Sequence, residues 1–126
     1  MNEEQIITAI LDEAFYVHKK LGPGMLESVY KTCLGLRLRN RGLLVEYEKS
    51  VPVTFEDIRI DHAFRVDMLV ENKVVTEIKR VESIADVHVA QALTYLRLLK
   101  LRYGLILNFN EALMRDGIKR VLNGYY

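Results

Sequence analysis

The sequence lacks the features that mark several classes of protein. It has a single cysteine, Cys33, and therefore can form neither an intrachain disulfide nor a cysteine-based zinc site. No apolar run approaches the roughly 18 residues that a membrane span requires. The N-terminus has no basic start followed by an apolar stretch, which a secretory signal would show. A lone thiol without an export signal predicts a cytoplasmic protein with no membrane partner.

A marked excess of charge of one sign is also missing. The 126 residues contain 18 Lys and Arg against 17 Asp and Glu, a formal net charge of +1. Proteins that bind nucleic acid or membrane surfaces usually carry a clear basic excess, so the net charge alone argues against such partners. Glycine and proline are scarce (7 and 2) while half of the residues are apolar, which is typical of one globular domain over residues 1–126.

Hydrophobic spacing predicts three helices. The first covers residues 3–21, with a cap-like start at Asn2 and Gln5, and the Gly22-Pro23-Gly24 segment ends it. The second runs from about Leu26 to Arg41, and its predicted inward face consists of Leu26, Val29 or Tyr30, Cys33 and Leu36. Ser83, with Asp86 three residues later, reads as a capping box that begins a third helix, which extends to about Leu99.

Strand-like patterns lie between the second and third helices. Residues 44–47 and 51–55 are predicted to be extended, and residues 58–70 alternate apolar and polar side chains. The short polar segment 71–73 is followed by a β-branched run over 74–81. These runs predict a hairpin that forms part of a three-stranded meander.

The last quarter of the chain completes the predicted order of elements. Residues 103–108 show the pattern of a buried strand, and residues 111–126 fit either a helical turn with an edge strand or another short helix. The resulting order, α-α-β-β-β-α-β, predicts an α+β fold in which helices pack on a mixed sheet.

Three charged residues interrupt the apolar strands of the predicted hairpin. Asp67 lies in the first strand, while Glu77 and Lys79 lie two residues apart in the second and so share one face. A three-residue loop at 71–73 pairs Val70 with Val74 and places Asp67 opposite Glu77. A two-residue loop would put Asp67 on the wrong face. The three-residue loop therefore predicts two carboxylates and an ammonium group on one face of the sheet.

This arrangement suits a metal-dependent phosphodiesterase. Carboxylates hold Mg²⁺ while leaving coordination positions for water and phosphate oxygens, and a nearby lysine can orient the attacking water. The spacing alone is weak evidence, since about one acid-x-Lys match is expected by chance and the sequence holds two. Glu71-Asn72-Lys73 falls in the predicted turn, and Glu77-Ile78-Lys79 lies in an apolar strand. The alternative is an exposed sheet face carrying an ordinary ion pair.

The segment from Leu21 to Tyr30 adds a more specific pattern. Its Gly24-x-x-Glu27-x-x-Tyr30 resembles the motif of the GxxExxY family, which belongs to the PD-(D/E)xK nuclease-like superfamily. The resemblance continues in order over roughly residues 5–122, through Asp67, residues 77–82, residues 88–96 and residues 107–110. One departure is that valine, not proline, precedes Asp67.

The resemblance implies a fold, a reaction and roles for individual residues. The fold is a restriction-endonuclease-like core, here with one extra N-terminal helix. Asp67 and Glu77 would be ligands of Mg²⁺, or of Mn²⁺, and Lys79 the catalytic lysine. Glu27 would be a further acidic residue that completes or supports the metal site. Gln91 would support the site from the third helix.

Several residues keep a second interpretation. Glu27 also suits the first turn of a helix, where a carboxylate faces the positive end of the helix dipole. Tyr30 could brace Glu27 or pack in the core, and His88 is more typical of a surface residue than of a ligand. Arg65 is predicted to face Lys79, an unfavourable pairing unless an anion such as a phosphate lies between them.

Three functions fit the sequence. The first is a metal-dependent nuclease acting on DNA, or less readily on RNA, whose specificity would come from nucleic-acid structure, a homodimer or a partner protein. The second is a catalytically silent module of the same fold that binds nucleic acid or a protein, and the third is a scaffold. If three acids bind metal, 18 basic groups remain against 14 acidic ones, which predicts weak, salt-sensitive and metal-dependent binding of nucleic acid.

Overall fold

A computed structural model describes residues 1–124, which form three helices, five strands and one short 3-10 turn. In chain order these are α1 (Glu3–Leu21), α2 (Glu27–Asn40), β1 (Val45–Phe55), β2 (Ile58–Val70), β3 (Val74–Lys79), α3 (Asp86–Leu99), β4 (Tyr103–Asn108), the 3-10 turn (Met114–Gly117) and β5 (Ile118–Leu122). The prediction for residues 125 and 126 lies outside the described residues.

The five strands lie side by side in the order β1-β2-β3-β4-β5. Neighbouring strands are antiparallel except for β3 and β4, which are parallel because α3 carries the chain back to the starting end of the sheet. The predicted α+β class with a mixed sheet is thus confirmed and is consistent with a restriction-endonuclease-like fold.

The helices cover both faces of the sheet. One hydrophobic cluster joins α1 and α2 to side chains that include Met68, Val74 and Ile78, and a second joins α3 to the alternate set that includes Leu69 and Val75. Because side chains alternate along a strand, residue parity decides which helix layer a strand residue meets. Asp67 and Glu77 share the parity of Leu69 and Val75 and therefore belong to the α3 side.

The predicted helix α1 is confirmed, including its start. The Gln5 N–H donates to Asn2 Oδ1 and the Asn2 N–H donates to Gln5 Oε1, both at 2.9 Å. These reciprocal bonds satisfy backbone donors that a helix leaves free at its first turn. Among residues 1–124, no helix is long and apolar enough to cross a membrane.

The predicted inward face of α2 is confirmed at Tyr30, which is buried, and at Cys33, which packs against the core, but it is wrong at Leu26 and Leu36. Leu26 and Leu36 are exposed, and the buried side of the helix runs through Tyr30, Leu34, Gly35 and Leu38. Gly35 has no side chain because the Tyr47 hydroxyl oxygen would lie 1.6 Å from a Cβ atom at that position. A buried glycine adds no apolar side chain to the helical hydrophobic pattern of α2. The pattern therefore favoured the neighbouring face that contains Leu26 and Leu36.

The start of α3 also differs from the prediction. Ser83 does not cap this helix; the N-cap is Ala85, and its N–H donates to the His88 imidazole Nδ1 at 2.9 Å. His88 therefore acts as a local capping residue. The imidazole takes the place that a glutamate carboxylate has in a normal capping box. The sequence analysis instead assigned the capping box to Ser83 and Asp86.

Strand boundaries differ from the prediction in two places. The extended segments 44–47 and 51–55 are one continuous strand, β1, and β3 ends at Lys79 instead of residue 81. Beyond Lys79 the backbone bonds to side chains: Val81 N–H donates to Asn108 Oδ1 at 3.1 Å, and Asn108 Nδ2 donates to the Val81 carbonyl at 2.9 Å. Near the C-terminus, the interpretation with a helical turn followed by an edge strand is confirmed.

Candidate active site

The hairpin of β2 and β3 has the predicted register. Val70 pairs with Val74, and the regular ladder continues to Met68 and Thr76. At the next position, hydrogen bonds from backbone N–H groups to carboxylates take the place of the backbone-to-backbone hydrogen bonds of the ladder. The Asp67 N–H donates to Glu77 Oε2, and the Ile78 N–H donates to Asp67 Oδ2, both at 2.8 Å. These crossed bonds hold the two carboxylates beside each other where the strands separate.

Burial and mutual repulsion make this carboxylate pair costly to ionise. Glu77 is 3% exposed, and burial, followed by the charge of Asp67, raises its pKa to about 8. Burial also raises the pKa of Asp67, although the Ile78 N–H and the charges of Lys31 and Lys79 oppose that rise. Two adjacent carboxylates with raised pKa values are a donor set that a cation would stabilise.

The pair lies in a cleft of about 990 Å³ between the N-terminus of α2, the strands β1 to β3, and α3. Lys79 lines this cleft and is half-buried, as expected for a side chain two residues beyond Glu77 on the same strand. Acidic and basic side chains are equally numerous on its walls: Glu27, Glu48, Asp67 and Glu77 against Lys31, Arg65, Lys79 and Arg80.

Glu27 is the first residue of α2 and lies at the rim of the cleft. Its Oε2 accepts a hydrogen bond from the Arg80 N–H at 3.1 Å, so the carboxylate reaches the backbone directly after β3. Glu27 is therefore fixed next to the end of the strand that carries Glu77 and Lys79. Over residues 1–124, however, no group of three or more Asp, Glu, His or Cys side chains is arranged to hold a metal ion.

Gln91 and Tyr95 reach the cleft from α3. Burial, and then the charges of Glu77 and Asp67, raise the pKa of Tyr95 to about 12, while a side-chain hydrogen bond with Gln91 opposes that rise. The Tyr95 hydroxyl thus lies near both carboxylates and remains protonated at neutral pH. Gln91 lines the same cleft as Tyr95, and its supporting role, which the resemblance implied, stays a prediction.

Glu48 is the acidic residue of the cleft that the sequence did not reveal. Its carboxylate binds Lys31 through Oε1 and Arg65 through Oε2, the latter at 3.0 Å from the Arg65 Nε. The expectation that Arg65 faces Lys79 across a ladder is wrong, because that ladder ends at Met68 and Arg65 is paired with Glu48. A Glu-x-Glu-Lys stretch in a strand carries no signal that distinguishes Glu48 from an ordinary surface acid.

Tyr30 stabilises the turn before α2. Its hydroxyl donates to the Gly22 carbonyl and accepts from the Met25 N–H at 3.0 Å, and its buried ring stacks on Phe109 with centroids 4.5 Å apart. Gly22 and Gly24 have φ values of +69° and +119°, which favour glycine. Tyr30 therefore bonds the turn that presents Glu27, and of its two interpretations the structure supports core packing.

Replacement of Tyr30 by phenylalanine is expected to lower the free energy of unfolding by about 1–2 kcal/mol, because the Met25 N–H and the Gly22 carbonyl both lose their partner. Urea denaturation measures this change, with Tyr16→Phe, at an exposed tyrosine of α1, as the control. Unchanged stability combined with loss of divalent-metal binding would instead assign Tyr30 to the metal site.

Comparisons with known proteins agree with this architecture. A family model described as the PD-(D/E)XK nuclease superfamily matches residues 4–121, which include all of the cleft residues named above. Among curated protein sequences none is significantly similar to the chain. The narrower assignment to the GxxExxY family remains a prediction. The match over nearly the whole chain establishes the wider relationship: this protein belongs to the PD-(D/E)XK nuclease superfamily.

Proposed function

We propose that this protein is a divalent-metal-dependent nuclease that hydrolyses phosphodiester bonds, with DNA as the favoured substrate. The observation that carries the proposal is the Asp67–Glu77 pair, in which Glu77 is buried and Asp67 is half-buried, held by crossed hydrogen bonds in one cleft with Lys79. A sheet face that served only solubility would leave its carboxylates in water. Burial of Glu77 beside Asp67 makes ionisation of the pair unfavourable without a cation.

The donor set fits Mg²⁺ or Mn²⁺. Mg²⁺ is commonly bound by one or two protein carboxylates, with water and substrate phosphate supplying the remaining oxygens, so a third protein acid is not required. Asp67 and Glu77 are the proposed ligands, and the carbonyl of Ile78, which lies between Glu77 and Lys79 in the sequence, is a further proposed ligand. When bound, the ion would lower the pKa of a coordinated water and stabilise negative charge that develops at the phosphate.

The surrounding side chains have distinct proposed roles. Lys79 would neutralise a non-bridging oxygen of the phosphate and orient the attacking water, since its side chain lines the same cleft and an ammonium group can donate hydrogen bonds to both. Glu27 would support the site from the rim, where its carboxylate holds the Arg80 backbone directly after the strand that carries Glu77 and Lys79. Gln91 and Tyr95 would support the carboxylates from α3 by hydrogen bonding.

The electrostatics of the cleft point to metal-dependent binding of the substrate. Its four acidic and four basic side chains balance when all are ionised. A bound divalent ion would make the cleft positive, and the binding of nucleic acid would then be modest in strength and sensitive to salt. A homodimer or a partner protein would add contact area and specificity.

Incubation with plasmid, linear and branched DNA and with RNA tests the proposal. Cleavage is expected in Mg²⁺ or Mn²⁺, and EDTA should abolish it until excess metal is restored. Comparison of the four substrates measures the preference for DNA. Absence of metal-dependent cleavage on all of them would contradict a nuclease activity.

The balanced cleft and the lack, over residues 1–124, of a three-residue ligand group favour one alternative, a silent module that binds nucleic acid or a protein without cutting. Such a module has no need of a bound cation. Binding of nucleic acid that is indifferent to Mn²⁺ and to replacement of Asp67 would favour this alternative.

A further inference from the structure

We infer that Lys31 and Arg65 form a second phosphate-binding site in the cleft, which Glu48 occupies in the free protein as a substitute for a backbone phosphate of the substrate. This inference rests on the proposed function, because the ligand is a phosphate group of a nucleic acid next to the one that is cleaved. It adds to that function a subsite and a residue that keeps the subsite closed.

The geometry of Glu48 resembles that of a bound phosphate oxygen pair. Each carboxylate oxygen contacts a different cation: Oε1 contacts Lys31 of α2 and Oε2 contacts Arg65 of β2. The two cations come from separate elements and converge on one anion inside the cleft. Arginine and lysine that share one anionic partner with two oxygens present the contacts that a phosphate uses.

The backbone at Glu48 directs its side chain into this position. Glu48 has a φ of +52° in the middle of β1, a conformation that residues other than glycine rarely adopt within a strand. It lies between the ladder pairs Tyr47–Met68 and Lys49–Val66 and so is level with Asp67. Strained backbone of this kind is concentrated at functional sites, where it directs a side chain.

Exposure distinguishes Glu48 from a structural ion-pair residue. Glu13 also bridges two cations, Arg37 and Arg41, but its side chain is 9% exposed between α1 and α2 and cannot leave without opening the core. The Glu48 side chain is 38% exposed and borders the cleft, so it can move into solvent while Lys31 and Arg65 stay in place. A phosphate that enters the cleft would form ion pairs with Lys31 and Arg65 when the Glu48 side chain moves into solvent.

The first arm of the test removes the charge of Glu48. A fluorescein-labelled DNA duplex is titrated with wild-type protein, Glu48→Gln and Glu46→Gln in Ca²⁺, which replaces Mg²⁺ to suppress cleavage. Glu46 is a matched control because it is on the same strand, is 36% exposed and pairs with Lys49 outside the cleft. Glu48→Gln is expected to bind about 3–10-fold more tightly, whereas Glu46→Gln stays within about twofold of wild type.

The second arm removes a cation. Arg65→Gln is expected to weaken binding and to reduce the log–log salt slope by about one, since one phosphate contact is lost. Arg59→Gln is the control, because Arg59 is on the same strand, pairs with Asp61 and is 65% exposed against 69% for Arg65. Arg65 is exposed enough that its replacement does not endanger folding, and Glu48→Gln combined with Arg65→Gln should lose the gain in affinity.

The outcomes separate this inference from the proposed function. If wild-type protein binds or cleaves DNA but Glu48→Gln behaves like Glu46→Gln, or Arg65→Gln like Arg59→Gln, the phosphate subsite is disproved and the nuclease proposal stands. If no variant binds DNA and the wild type cleaves none in Mg²⁺ or Mn²⁺, both are disproved. Tighter binding by Glu48→Gln together with weaker binding by Arg65→Gln supports the subsite.

Discussion

Replacement of Lys79 by alanine is expected to lower the rate of DNA cleavage by roughly 10²–10³-fold while leaving the binding of divalent metal intact. Lys79 lines the cleft next to Asp67 and Glu77 but is a cation and therefore no ligand of a metal ion. Its proposed contribution is to the charge that develops on the phosphate, so the loss should fall on kcat more than on metal affinity. Single-turnover cleavage and calorimetric metal titration measure the two effects separately.

The chain supplies a matched control for this replacement. Lys73 belongs to the second acid-x-Lys match of the sequence, and its exposed side chain donates to the Met1 carbonyl at the opposite end of the hairpin. Lys73→Ala should cleave DNA at nearly the wild-type rate. Equal activity of wild type and Lys79→Ala would show that Lys79 has no part in the reaction and that any nuclease chemistry lies elsewhere.

Replacement of Glu77 by glutamine is expected to abolish cleavage and yet to stabilise the metal-free protein at high pH. Burial and the neighbouring charge of Asp67 raise the pKa of Glu77 from 4.5 to about 8. The folded state therefore binds a proton that the unfolded state has lost, and the stability of the wild type falls as pH rises from about 4.5 to about 8. Above that range the full cost of the buried charge is present.

Glutamine removes this cost but keeps an oxygen that can accept the Asp67 N–H. At about 1.4 kcal/mol per pKa unit, the gain at pH 9 should be roughly 2–4 kcal/mol and should shrink to near zero at pH 4. Thermal denaturation at both pH values in EDTA measures it, with the exposed Glu82→Gln as control. If the variant is no more stable than the wild type at pH 9, ionisation of Glu77 does not destabilise the folded protein.

The sequence predicted the carboxylate pair because two physical constraints acted together. A three-residue loop fixed the register of β2 and β3, and charged residues within apolar strands are conspicuous. Once Val70 is opposite Val74, Asp67 can lie only beside Glu77. Glu27 and Gln91 depended instead on the resemblance, because residues from separate helices show no local pattern that brings them to one cleft.

Other features could not be predicted because they depend on contacts between distant elements. Glu48 enters the cleft through an unusual backbone conformation in β1, and no hydrophobic period encodes that. The buried face of α2 passes through Gly35, where the close approach of Tyr47 requires a residue without a side chain. The helix start at Asp86 rests on an imidazole that accepts a backbone hydrogen bond.

The near-zero net charge was a misleading guide to the cleft. It argues against a polyanionic partner when it is taken as an average over the chain. The cleft itself has four basic side chains. Two of its four acids are the proposed metal ligands, and a third, Glu48, would move out of the phosphate subsite when substrate binds. A cleft that becomes positive when it binds a divalent metal ion can attract nucleic acid without a basic excess in the whole chain.

Asp67 and Glu77 together are the proposed ligands of a divalent cation. Calorimetric titration of Mn²⁺ into wild-type protein, Asp67→Asn and Asp61→Asn tests this assignment most directly, since Asp61 is on the same strand but is exposed and paired with Arg59 outside the cleft. One site is expected in the wild type and in Asp61→Asn, and none in Asp67→Asn. Equal binding of Mn²⁺ by all three proteins, or no binding by the wild type, would contradict the assignment.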